Sequence, residues 1–171
     1  MQGFLQKIDQ ISPVIYVQIW ENRIKVTDIK SGNIFDEKPL LALRRIGNGR
    51  EVVAGIGEKP ESKPNPNIRL VNPFSHPRTL FSDFSLGQIL LKHIIDTLLK
   101  GKLRLVAPLM VMHPMEKTEG GLTAIEYRAF KDLALEVGAR DVAIYQGEEL
   151  NQYTFSYKTI KANDEDPSYQ P

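Results

Sequence analysis

At 171 residues, with 42% hydrophobic and 25% charged residues, the chain has the length and balance of one folded domain with a sizeable core. A formal net charge of +1 gives no broad electrostatic hold on nucleic acid or anionic lipid, so no nucleic-acid partner is expected. The absence of cysteine excludes disulfides, thiolate catalysis and cysteine zinc sites.

Residues 1–12 predict a short helix or arm, with Phe4, Leu5, Ile8 and Ile11 near one face, closed by Ser12-Pro13. This stripe admits two readings: packing on the domain or self-association, or contact with a membrane. Its charges, Lys7 and Asp9, cancel, which favours the first. The opening residues lack the pattern of a cleavable signal, and no run approaches the ~20 apolar residues that cross a bilayer. A cytoplasmic location is expected, with the inner face of the membrane left open by the stripe.

Residues 14–20 alternate as a strand, with Ile15, Val17 and Ile19 on one face and Tyr16, Gln18 and Trp20 on the other. Glu21-Asn22-Arg23 reverses the chain into a second strand over 24–29, and 40–44 reads as the third strand of an antiparallel meander. Residues 47–81 read as a small inserted lobe. Strand-like pieces at 51–56 and 68–71 flank a loop rich in proline, which argues against a regular sheet there.

Ser85 with Gln88 forms a candidate capping box for a helix that carries Leu86, Ile89, Leu90, Ile94 and Leu98, widened by Leu91, Ile95 and Leu99. Gly101 stands where a left-handed residue would end it. Residues 103–112 form an apolar run, broken by Pro108, that suits a strand buried on both faces. Thr123 with Glu126 forms a second capping box, opening a helix that runs to Gly138, and 142–145 is a short buried strand. Residues 159–171 read as a disordered polar tail. The order predicts a single α/β domain over 13–158, a mixed sheet flanked by helices.

Several segments resemble the actin-like proteins, and among them the bacterial actin MreB. Leu80-Phe81-Ser82-Asp83-Phe84 is similar to the family's V-I-A-D-F, Val71-Asn72-Pro73-Phe74 to its I-R-P turn, and Thr123 to Ala129 to its T-x-x-E-R-R-A helix start. Gly138-Ala139-Arg140-Asp141-Val142 followed by Gly147-Glu148-Glu149-Leu150 resembles G-A-R-E-V and E-E-P. The resemblance covers roughly residues 13–150 and implies an actin-like first domain, a ribonuclease-H-like sheet with a small lobe inserted.

In that family the first hairpin carries an Asp-x-Gly-Thr-x-Asn loop that wraps phosphate and serves a metal. Here the stretch is Gln18-Ile19-Trp20-Glu21-Asn22. Gln18 stands in place of the metal carboxylate, and an indole at Trp20 blocks the close approach of backbone to phosphate. The second phosphate loop and the second domain would follow residue 150. The expectation is therefore a chain with no catalysis, no cofactor and no metal, in which a degenerate ATPase fold serves protein–protein interaction. Glu126 matches the glutamate that, by resemblance, polarises the attacking water; its other reading is a helix cap. Trp20 is either a recognition residue or a plug for the lost nucleotide site. Leu91, Ile95 and Leu99 are either an interface or core. His76, His93 and His113 lack metal-ligand spacing, and His93 is expected to be partly buried. Gly120-Gly121 reads as a flexible turn rather than an anion nest.

The expected partner is a subunit of an actin-like filament, or a second copy, with an effect on bacterial cell shape. An adaptor of a pilus or secretion assembly and a residual nucleotide binder are the alternatives.

Overall fold

The computed structural model describes residues 11–57, 65–101, 106–151 and 153–169. β1 (Val14–Ile19) is buried along its whole length and lies at the centre of a five-stranded sheet. It pairs antiparallel with β2 (Ile24–Asp28), which pairs antiparallel with β3 (Ile34–Glu37). On its other side β1 runs parallel to β7 (Leu109–Pro114), and β7 parallel to β8 (Asp141–Ile144), giving the order β3-β2-β1-β7-β8.

The period-two pattern assigns the faces. Ile15, Val17 and Ile19 join Ile24, Val26, Met110, Met112, Val142 and Ile144 in the larger core cluster. Tyr16, Val111 and Ala143 point the other way, into a smaller one. The larger cluster is closed by α1 (Phe84–Leu98) and α2 (Ala124–Glu136), which pack on each other as well as on the sheet. Leu91, Ile95 and Leu99 are buried there, so these three side chains are core and not a surface offered to a partner. The cap of α1 is Asp83, whose carboxylate accepts from the Leu86 N–H at 2.9 Å, not Ser85. Gln88 instead donates to Glu136 and ties the two helices together. An acceptor two residues earlier wins because the carboxylate reaches the same orphan donors with a full charge.

The third strand of the meander is β3, and residues near 40–44 leave the sheet. They form β4 (Leu41–Arg45), the middle of a separate three-stranded antiparallel sheet with β5 (Glu51–Ile56) and β6 (Ile68–Val71). The lobe thus begins near residue 41 rather than 47, and it is a regular sheet. The prolines did not prevent it because none stands within β4, β5 or β6. β3 escaped the sequence pattern because an edge strand of Ile34-Phe35-Asp36-Glu37 carries its charges outward. Gly57, with φ +84°, closes the lobe against β3: a Cβ there would meet Glu37 Oε2 at 1.7 Å.

The polar end of the chain is ordered where it is described. α3 (Tyr157–Ala162) lies on β7 and β8 from the side opposite α1 and α2, burying Ile160, and a short 3₁₀ turn follows at Pro167–Tyr169. Ser156 caps α3, and Tyr127 donates to Asp164 at 2.9 Å. Composition misled here because few apolar residues suffice when aromatic rings from the sheet meet them. Of the predicted stripe at the other end, Phe4, Leu5 and Ile8 lie outside the described residues, as do 103–105 of the predicted apolar strand.

Candidate functional site

The parallel strands β1, β7 and β8 end on the same edge of the sheet, where open α/β sheets place their sites. The β1–β2 turn stands there, closed by a Trp20 N–H bond to the Arg23 carbonyl at 2.8 Å. Around it lie Asn72 from the end of the lobe and Glu116 and Lys117 after β7.

This turn is satisfied by its own protein. The Glu21 N–H donates to the Glu116 carboxylate at 2.8 Å, and the Glu21 carbonyl accepts from Asn72 Nδ2 at 2.7 Å. The Glu21 carboxylate pairs with Lys117 at 2.9 Å, and the same ammonium reaches the His76 carbonyl at 2.5 Å. A backbone donor that could serve an anion is therefore held by a carboxylate, and the nearby cation is engaged. Sequence reasoning missed Asn72, Glu116 and Lys117, because their partners lie 51 to 96 positions away, beyond any local motif.

Trp20 is half-buried at the tip, with the Arg23 guanidinium 4.8 Å above its ring. Arg23 also makes a two-pronged contact with Asp36, at 2.7 and 2.6 Å, and hydrogen bonding to Arg23 holds the Asp36 carboxyl below its ordinary range. The indole belongs to a Trp20–Arg23–Asp36 stack on the rim rather than to either core cluster. Asn22 is exposed and Ile19 is core.

Gln18 is fully buried. Its Nε2 faces Met115 Sδ at 3.9 Å, a weak contact, while its Oε1 has no hydrogen-bond partner among the described residues. It lines a cavity of about 200 Å³ with Tyr16, Lys25, Thr27 and Glu149. Lys25 pairs with Glu149 at 2.9 Å, and Lys25 first and the Gln18 amide second hold that carboxyl below the usual range. A space of this size and polarity suits ordered water. The amide carries no charge to offer a cation.

Glu126 turns back on its own helix. Its Oε2 accepts from the Thr123 N–H at 3.0 Å and the Thr123 hydroxyl at 2.7 Å, while the Glu126 N–H donates to Thr123 Oγ1. The reciprocal box is complete. Gly120 and Gly121 both have positive φ, and Gly121 N–H is spent on the Thr118 carbonyl, the geometry of a turn. His76 and His93 are both exposed, so His93 is not the buried histidine. His113 is, at 1% exposure. Among the described residues, no group of three or more His, Asp or Glu side chains could hold a metal ion. No described helix is long and apolar enough to cross a membrane.

His113 belongs to a buried relay behind the site. The Gly147 carbonyl can only accept, so His113 Nε2, 3.0 Å away, carries the hydrogen, and Nδ1 of the neutral ring accepts from the Tyr16 hydroxyl at 2.6 Å. That hydroxyl in turn accepts from the Leu150 N–H at 3.2 Å. Burial pushes the His113 pKa down and the Tyr16 pKa up to about 12. The relay straps residues 147–150 across β1 and β7.

Neither a protein-family model nor a curated protein sequence matches the chain. Solved structures do. The chain is similar to MreB5 of Spiroplasma citri bound to AMPPNP, with a TM-score of 0.59, 22% identity and coverage of 80% of this chain and 39% of that one. The same protein bound to ADP gives a TM-score of 0.60 at the same identity and coverage. A non-polymerising mutant of MamK bound to AMPPNP gives 0.61 at 14% identity, covering 79% of this chain and 41% of that one. The chain thus spans about two fifths of the length of these neighbours. With its mixed sheet, flanking helices and separate small sheet, it has the fold of the actin-like bacterial cytoskeletal proteins.

Proposed function

We propose that this chain is a non-catalytic actin-like module of the bacterial cytoplasm that binds a subunit of an actin-like filament, or a second copy of itself, and thereby regulates filament assembly and cell shape. The observation that carries the reading is the hairpin tip. Its Glu21 N–H is occupied by the Glu116 carboxylate, and the tip is capped by the Trp20–Arg23 stack. Phosphoryl transfer depends on backbone donors and a metal positioned around phosphate. At this tip a phosphate would meet two carboxylates and a ring. With no such use for the sheet's edge, the actin-like fold is left with its surfaces.

The test has two arms. Thermal stability is measured with and without magnesium–ATP and magnesium–GTP; a ligand at about 100 times its dissociation constant would add about 2.7 kcal/mol. No shift is expected, and a clear one overturns the non-catalytic reading. The full chain is then sedimented with filaments of an actin-like protein from the same cell. Co-sedimentation or altered assembly is expected, and a chain that does neither, and stays monomeric, removes the interaction reading.

A further inference from the structure

The small sheet of the lobe has an inner and an outer face. Register and alternation put Leu41, Leu43, Val53 and Val71 on the side that packs against the larger core cluster. Arg44, paired between Val52 and Ile68, and Leu70, opposite Ala42, take the other side. Arg44 and Leu70 are exposed, Leu70 to 54%, and Val52 and Ile68 are half-buried. None of these four joins either core cluster. The outer face is therefore an aliphatic surface with a guanidinium at its middle.

The charge of the lobe is one-sided. Across 41–57 and 65–71 stand four arginines, Arg44, Arg45, Arg50 and Arg69, against one carboxylate, Glu51, and no lysine. The loop 58–64 adds two charges of each sign, so this excess stands in a chain whose net charge is only +1. Glu51 is spent on Arg69 at 2.8 Å, and Arg44, Arg45 and Arg50 have no ion pair among the described residues. Lysine would serve solubility as well. Arginine is less strongly hydrated, forks onto carboxylate oxygens and is enriched at protein interfaces, where lysine is depleted. Aliphatic neighbours that exclude water around a guanidinium strengthen its hold on a carboxylate.

The chain's own carboxylates are poorly placed to supply that charge from a second copy. Asp36, Glu149, Asp132 and Asp96 pair with Arg23, Lys25, Arg128 and Lys92, and Asp164 accepts from Tyr127. We propose that the outer face of the lobe, with Arg44 at its centre, docks a different protein through an acidic segment that also carries aliphatic side chains. This rests on the interaction reading above and narrows it to one face of the molecule and to a partner other than a second copy.

A fluorescein-labelled Glu-Leu repeat peptide is titrated with the full chain and followed by anisotropy. Binding is expected, weakened at least about fivefold by Arg44→Ala or Leu70→Ser and weakened also by rising salt. Arg128→Ala, on α2 and paired with Asp132, is expected to leave it unchanged. Both lobe positions are exposed, so the melting temperatures of their variants should match that of the parent. No binding, or equal binding by Arg44→Ala, overturns the proposal. So does tighter binding of single-stranded DNA or of phosphatidylglycerol vesicles through Arg44, which would make the face a reader of phosphate. Sedimentation with the filament separates the two readings. If the parent and the Arg44→Ala, Leu70→Ser double variant co-sediment equally, this face is discarded and the filament reading stands. If the parent binds the peptide and not the filament, the filament reading is discarded and this face stands.

Discussion

The two faces of the central sheet are closed in different ways. Under α1 and α2 the contact is wholly apolar, built from side chains such as Leu90, Ile94, Phe130 and Leu133 on Val17, Met110 and Met112. The opposite face has a smaller apolar patch and is held by directional bonds: Tyr16 to His113, His113 to Gly147, Leu150 to Tyr16, and Lys161 to the Val142 carbonyl. Apolar burial is insensitive to pH and tolerant of small shifts, whereas a buried relay has one arrangement of protons and fails when one partner is lost. The first face supplies stability, and the second supplies a condition on it.

The largest expected effect lies on the apolar face. Phe130 is buried against Phe81, 4.7 Å between ring centroids, and is part of the main core cluster. Phe130→Ala should cost about 3–5 kcal/mol, from lost transfer energy and the cavity left behind. Denaturant unfolding checks it. Next comes Tyr16→Phe, which keeps the ring but leaves His113 Nδ1 and the Leu150 N–H without their shared partner. A cost of about 1–3 kcal/mol is expected. Equal losses for the two variants would break the distinction between the faces.

That distinction also decides what could be read in the sequence. The apolar face was legible because its alternation in β1 and its helical spacing in α1 and α2 are local patterns. The Thr123–Glu126 box, β5 and β6 were legible for the same reason. The opposite face was not: Tyr16 and His113 are 97 positions apart, and α3 carries one buried residue, Ile160, in a polar stretch. The candidate site divides similarly. Trp20 and Gln18 announced an altered hairpin, but the groups that fill it, Asn72, Glu116 and Lys117, are joined to it only by the fold.

A smaller effect, in pH, sharpens the comparison. Burial holds the His113 pKa below its usual 6.5. As pH falls below about 6.5, the unfolded chain takes up a proton that the folded chain refuses, so stability is full above that pH and declines as pH falls toward the folded value. Tyr16, raised to about 12, acts at the other end: above about pH 10 the unfolded chain loses its proton first, and stability declines as pH rises. His113→Gln should flatten the melting temperature between about pH 5 and 7 while leaving the alkaline limb in place. An unchanged acid slope would mean that carboxylates such as Glu149 and Asp36, whose windows lie lower, set the response.

The smallest effect concerns the edge of the sheet. β8 is the outer strand, and its Val142 carbonyl is taken by the Lys161 ammonium, which also lies 3.4 Å from Asp141 and 3.6 Å from Asp164. Lys161 is about one third exposed, so the pairs are screened and Lys161→Met should change stability by no more than about 1 kcal/mol. The consequence is local. With the carbonyl uncovered, α3 loses a tether to β8 while Ile160 and Phe155 keep theirs to the apolar patch. Amide hydrogen exchange should accelerate in 157–162 and not in β1 or β7. Faster exchange in β1 as well would mean that the strap and the sheet open as one unit, and that the second face is more deeply coupled to the first than its separate contacts indicate.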